Sequence, residues 1–112
     1  MNSTETLYSN RVCGRYDCCF SIACSRFNST QFFRGKMLNY SQNGLYFEAG
    51  SAIQAGTSIL IRVLKNLDAD TVPEISEGFR SMALGEVKWC KEFISEGKTY
   101  YGVGVRYYWP DY

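Results

Sequence analysis

The chain contains no histidine. That absence excludes an imidazole general base, Ser-His and Cys-His nucleophile pairs, and His-ligated metals within these residues. Cysteine occurs at Cys13, Cys18, Cys19, Cys24 and Cys90, an odd set with no CxxC pair. Such spacing does not suit a zinc site, and the thiols read as small buried hydrophobes in a reducing compartment. No apolar run reaches the roughly 18 residues of a membrane span. The opening "MNSTETLYSN" lacks the charged start and apolar core of a secretory signal. An excess of charge is missing too. Lys and Arg number 12 against 11 Asp and Glu, a formal net charge of +1, which gives no long-range pull toward polynucleotide or anionic membrane. Any anion site has to be local. The expectation is a cytoplasmic protein that is not inserted in a membrane. With no nucleophile–base pair and no metal cluster, it is not expected to be an enzyme.

What is present points to strands. The 112 residues suffice for one domain around one core. Aromatics make up 16%, including 9 Tyr and 7 Phe, and such side chains favour half-buried pleats. Residues 1–10 are polar and read as a flexible N-terminal tail, with a single domain over 11–112. From Cys18 to Phe27 the chain alternates, with Cys18, Phe20, Ile22 and Cys24 on one face and Ser21, Ala23 and Ser25 on the other. A period of two argues for a strand. "QFFRGKML" (Gln31 to Leu38) predicts a second, and "GLYFEA" a third with Leu45 and Phe47 inward. "SILIRVL" predicts a fourth with Ile59, Ile61 and Val63 together. "FRSMALGEVKWCKEF" predicts a fifth, with Ala83, Val87 and Trp89 sharing a face. "KTYYGVGVRYYW" predicts a sixth, with Tyr101, Val103, Val105 and Tyr107 sharing one. Residues 64–78 carry Asp68, Asp70, Glu74 and Glu77 without a period and read as a solvated acidic connection. Short strands punctuated by Gly and Asn turns suggest a small closed barrel or sandwich.

Two short patterns stand out against this background. "RVCGR" places Arg11 and Arg15 four residues apart just before the first strand. "NYSQNG" places Asn39, Ser41 and Gly44 at the turn between the second and third strands. An Asn-Gly pair between apolar runs is a hairpin signal, because both residues tolerate positive φ. Arginine presents a planar fork of donors that pairs with phosphate oxygens or with guanine O6 and N7, and its plane stacks on bases. Asn39 and Ser41 can hydrogen-bond a base edge, and Gly44 would let the backbone approach a ligand without a Cβ. Together these parts suit a purine dinucleotide. Arg106 reads as solvated surface charge and Trp89 as a core or barrel-end tryptophan, with ligand contact the alternative for each.

Order and spacing of these residues resemble the PilZ domain family, the bacterial receptor module for cyclic di-GMP. That family carries RxxxR before its first strand, matched by Arg11 and Arg15, and [D/N]xSxxG after its second, matched by Asn39, Ser41 and Gly44. "GLYFEAGSAIQAGTSILIRV", "ALGEVKWCKE" and "YYGVGVRYY" also resemble family segments, so the likeness runs from Asn10 to Tyr107. Tyr40 stands where a smaller aliphatic is common. The resemblance implies an all-β, six-stranded antiparallel β-barrel of split-barrel type with a flexible N-terminal segment. It implies cyclic di-GMP as ligand, with no cofactor and no metal, gripped by Arg11 and Arg15 at phosphates and guanine faces and by Asn39 and Ser41 at a guanine edge. It further implies a small stand-alone receptor or adaptor that signals to a downstream protein partner by ordering the arginine segment. A PilZ-like adaptor that binds no nucleotide is the alternative, and single-stranded nucleic acid is disfavoured by the low net charge.

Overall fold

Six segments with a two-residue period form six strands in the computed structural model, which describes residues 16–67 and 81–108. They are β1 (Tyr16–Arg26), β2 (Phe33–Tyr40), β3 (Gly44–Ala49), β4 (Ser58–Asn66), β5 (Met82–Ser95) and β6 (Lys98–Tyr107). The order around the sheet is β1-β2-β3-β6-β5-β4, and every neighbouring pair is antiparallel. β1 pairs with β2 on one side and β4 on the other, which closes the barrel. Closure removes the unpaired strand edges that would otherwise template aggregation. Among the described residues no helix is long and apolar enough to cross a membrane. The tail at 1–10, both arginines of the N-terminal pattern and the acidic residues from Asp68 to Glu77 lie outside the described residues.

The alternation fixes what points inward. Phe20, Ile22 and Cys24 of β1 meet Ile59 and Ile61 of β4, and Phe47 of β3 meets Val103 of β6, all within one buried cluster. Ile53, from the connection between β3 and β4, is turned into the same cluster and is only 1% exposed. Tyr40 packs behind the β2–β3 turn with its ring stacked on Phe20, centroids 6.4 Å apart. Burial of a large aliphatic or aromatic side chain contributes about 1.5–3 kcal/mol, so this interior is the main source of stability.

Cys24 is fully buried, and that desolvation pushes its thiol pKa up to about 12. The native state therefore keeps the proton while the unfolded chain releases it above the ordinary thiol value of about 8.5. With fewer protons on the unfolded state, stability falls as pH rises through this window, by at most about 1.4 kcal/mol per pH unit. The urea midpoint of the native chain should drop more steeply between pH 8 and pH 11 than that of Cys24→Ala. Parallel curves would count against this assignment.

One turn departs from the sequence expectation. Asn-Gly at 43–44 is not a positive-φ hairpin turn: Asn39 and Tyr40 belong to β2, Gly44 opens β3, and neither Asn43 nor Gly44 has positive φ. The connection is Ser41–Asn43, closed by the Ser41 amide donating to the Gly44 carbonyl at 2.8 Å. A mirror-image turn does occur at Glu96 (φ 52°) and Gly97 (φ 78°), between β5 and β6, where "SEG" marks a turn in the sequence. A two-residue turn with both φ positive matches the twist of the flanking strands, but glutamate is a poor occupant of that conformation. Glu96→Asn should raise stability by about 0.5–1 kcal/mol, a melting temperature higher by roughly 2–4 °C. An unchanged or lower melting temperature would contradict the turn geometry.

Candidate functional site

Strand register assembles the site. Asn39 of β2 stands opposite Asp17 of β1 and opposite Tyr46 of β3. Tyr46 stands opposite Gly104 of β6, and Gly104 opposite Trp89 of β5. One transverse row thus crosses five strands on the outer face of the barrel. The next row toward the rim holds Gly44, Arg106 and Glu86.

Two β-bulges bring this row about. Between Met37 and Asn39 the β2–β3 register shifts, and the side chain of Asn39 then shares its row with outward Tyr46 rather than with core Phe47. Between Val87 and Trp89 the β5–β6 register shifts by the extra residue Lys88. The bulge is held by the 56–57 loop, with the Gly56 amide donating to the Val87 carbonyl at 2.7 Å and the Val87 amide to the Thr57 carbonyl at 2.9 Å. An extra residue re-aims every side chain beyond it. Val87 remains in the core, but Trp89 does not share its face as the alternation implied; it is 46% exposed on the outer surface.

Trp89 lies flat on β6. A Cβ at Gly104 would fall on the indole Nε1 and Cε2 atoms, so only glycine admits the ring there. The indole is stacked with Tyr46, ring centroids 5.6 Å apart at 26°. The Tyr46 hydroxyl donates to Glu48 Oε2 at 3.1 Å.

A cleft of about 380 Å³ opens beside this platform. Asn39, Ser41, Asn43 and Gly44 line one side, and Lys88, Trp89 and Arg106 line the other. Ser41 Oγ accepts from the Asn43 amide at 3.2 Å. A hydroxyl has one donor and two acceptor positions, so that bond leaves its O–H to donate elsewhere. Asn39, held in the strand pairing, lines the cleft and is 4% exposed. Lys88 Nζ lies 3.6 Å from Glu86 Oε1, but both side chains are substantially exposed, and such a pair contributes little. Arg106 is exposed and in no ion pair among the described residues. The cleft is therefore locally cationic although the whole chain is nearly neutral.

Of the residues singled out by sequence, Asn39, Ser41 and Gly44 come together at this cleft, and Arg11 and Arg15 lie outside the described residues. Arg106 and Trp89, read by sequence as surface charge and core, both line it, as does Lys88. Gly44 serves differently from the sequence reading. A Cβ there would strike the Val105 carbonyl of β6, so the glycine permits close strand contact and not a left-handed turn. No group of three or more potential metal-ligating side chains occurs among the described residues.

Comparison with solved structures finds the same barrel in the PilZ domain of YcgR from Escherichia coli, a structure with cyclic di-GMP. The TM-score is 0.61 at 12% identity, over 88% of this chain and 78% of that one. The chain has the PilZ fold. PlzA from Borreliella burgdorferi, solved in complex with cyclic di-GMP, contains the PilZ fold as well, with a TM-score of 0.56 at 12% identity. That match covers 92% of this chain but 46% of PlzA, so the chain spans about half of the longer protein. Neither a family model nor a curated protein sequence matches the chain. The PilZ fold is thus carried here by a sequence far from both structures.

Proposed function

We infer that the chain is a cyclic di-GMP receptor, with the dinucleotide held between the rim cleft and the N-terminal arginine segment. The observation that carries this reading is the meeting of Asn39, Ser41 and Gly44 at one cationic cleft beside the start of β1. The PilZ fold, found also in two structures that contain cyclic di-GMP, supports it. Tyr16, the first residue of β1, stands opposite Tyr40, next to Ser41. Arg15 is one residue before Tyr16, and Arg11 can be no more than about 18 Å from it even in a fully extended chain. Chain length thus permits both guanidinium groups to reach the cleft.

Each group has a role set by its chemistry. Arg11 and Arg15 pair with phosphate oxygens and cover guanine faces. Ser41 donates its hydroxyl hydrogen to a guanine acceptor, and the Asn39 amide offers a donor and an acceptor to a guanine edge. Lys88 and Arg106 lower the cost of bringing two phosphates to the rim, and the open face of Trp89 offers a stacking surface. Closing the arginine segment over the ligand changes the surface presented to a downstream protein partner, which is how binding becomes a signal.

Calorimetric titration of the reduced protein with cyclic di-GMP, with GTP as control, tests the reading. Saturable heat with cyclic di-GMP and none with GTP is expected, and the stoichiometry counts the ligands bound. A well-folded protein giving no heat with the dinucleotide would overturn the receptor reading and leave the nucleotide-free adaptor.

A further inference from the structure

Asp17 is the one carboxylate in the row that carries Asn39, Tyr46, Gly104 and Trp89. Two constraints put its side chain on the outer face. Counting back from buried Phe20, alternation turns residue 17 outward, and the next residue, Cys18, packs against the core. Pairing with Asn39, which shares its row with outward Tyr46, requires the same face. Directly opposite residues have Cβ atoms about 4.5–5.5 Å apart, so the Asp17 carboxylate stands beside the Asn39 side chain. It does not line the cleft itself. It stands one strand beyond Asn39, at the start of β1, where the chain arrives from Arg15. Glu48 and Glu86, on the strands across the cleft, are engaged: Glu48 Oε2 accepts from the Tyr46 hydroxyl at 3.1 Å, and Glu86 Oε1 lies 3.6 Å from Lys88 Nζ. Asp17 is exposed and in no hydrogen bond or ion pair among the described residues.

A carboxylate beside a site for two phosphates opposes binding unless it meets donors of the same ligand. Guanine supplies them: N1–H and the exocyclic N2–H2 lie side by side on its Watson–Crick edge. An ionised carboxylate is acceptor-only, with two oxygens to receive them. Resting on the receptor reading, we propose that Asp17 determines base specificity. Its carboxylate accepts from N1–H and N2–H2 of one guanine, while Asn39 and Ser41 serve the acceptors of that base. Both bonds are charge-assisted, roughly twice as strong as neutral ones. Adenine presents a ring-nitrogen lone pair and a C–H in those two places. The carboxylate would then face an acceptor and lose its partners, which penalises cyclic di-AMP. Asn39 cannot impose this choice by itself, because its amide carries donor and acceptor and can turn to suit either base.

The test is calorimetric titration of the native chain and of Asp17→Asn with cyclic di-GMP, cyclic di-IMP and cyclic di-AMP. The inosine dinucleotide keeps N1–H and lacks the N2 amine. The native chain should bind the three in that order of decreasing affinity. Asp17→Asn should lose about tenfold or more toward cyclic di-GMP, less toward cyclic di-IMP and nothing toward cyclic di-AMP. Its melting temperature should match the native chain, because Asp17 is exposed. Unchanged affinity for cyclic di-GMP would overturn the assignment. So would an equal loss for all three ligands, which would make the carboxylate a support of the arginine segment, or an equal gain, which would make it a mere repeller of phosphate. A native chain that binds none of the three overturns the receptor reading as well; the other outcomes overturn the role of Asp17 alone.

Discussion

Arg15→Ala is expected to bind cyclic di-GMP about tenfold or more weakly than the native chain, with its fold intact. The magnitude follows from the contacts proposed. A hydrogen bond to a charged group contributes about 1.5–3 kcal/mol, and an arginine fork can make two of them to one phosphate. A loss of 1.4 kcal/mol is already a factor of ten in affinity. Ordering the arginine segment opposes binding, so the measured loss is smaller than the gross contact energy. Arg62→Ala is the matched control. It removes the same side chain from the outer face of β4, opposite Ala23, and away from the cleft. The two variants should melt together and differ only in titration. Equal affinity of Arg15→Ala and the native chain would remove the arginine segment from the site.

The second large effect is expected at Gly44. Gly44→Ala should lower the melting temperature by roughly 4–12 °C. A Cβ at this position meets the Val105 carbonyl, with the Arg106 Cα 3.1 Å away, and both belong to the β6 backbone. Backbone atoms cannot rotate aside as a side chain would, so β3 and β6 must separate locally. Overpacking of this kind costs about 1–3 kcal/mol, and each kcal/mol shifts the melting temperature by about 4 °C in a chain of this length. Gly50→Ala is the contrast, because nothing lies within 4 Å of a Cβ there. It should melt within about 1 °C of native. The comparison also separates two roles for Gly44. If the glycine served only ligand approach, Gly44→Ala would lose binding and keep its stability. If it serves strand contact, stability falls even without ligand.

The strands were legible because their determinants are local. A run such as Phe20, Ile22 and Cys24 alternating with Ser21, Ala23 and Ser25 can bury one face only as a pleated strand. Asn39, Ser41 and Gly44 were legible as a constellation because they sit within six residues, so any turn there keeps them close. Trp89 and Arg106 were not. Trp89 reaches the cleft through the extra residue Lys88 in the β5–β6 register, and the sequence pattern "VKW" is equally compatible with unbroken alternation, in which Trp89 faces the core; Arg106 reaches it through its pairing with Gly44 on β3. The same limit explains the turn. Asn-Gly at 43–44 has the local chemistry for positive φ, yet pairing of Gly44 with Arg106 on β6 makes it a strand residue.

By itself, then, the chain determined six strands, one core and a candidate nucleotide-binding turn, since periodicity and short spacing are properties of neighbouring residues. Tertiary structure decided which strands meet, including the β1–β4 pair that closes the barrel, and where the register slips. It thereby decided that Gly104 cradles an indole, that Asn39 and Trp89 share a row, and that Asp17 stands beside Asn39. These are contacts between distant segments, set by how two faces of a closed sheet are filled, and no local window of residues contains that information.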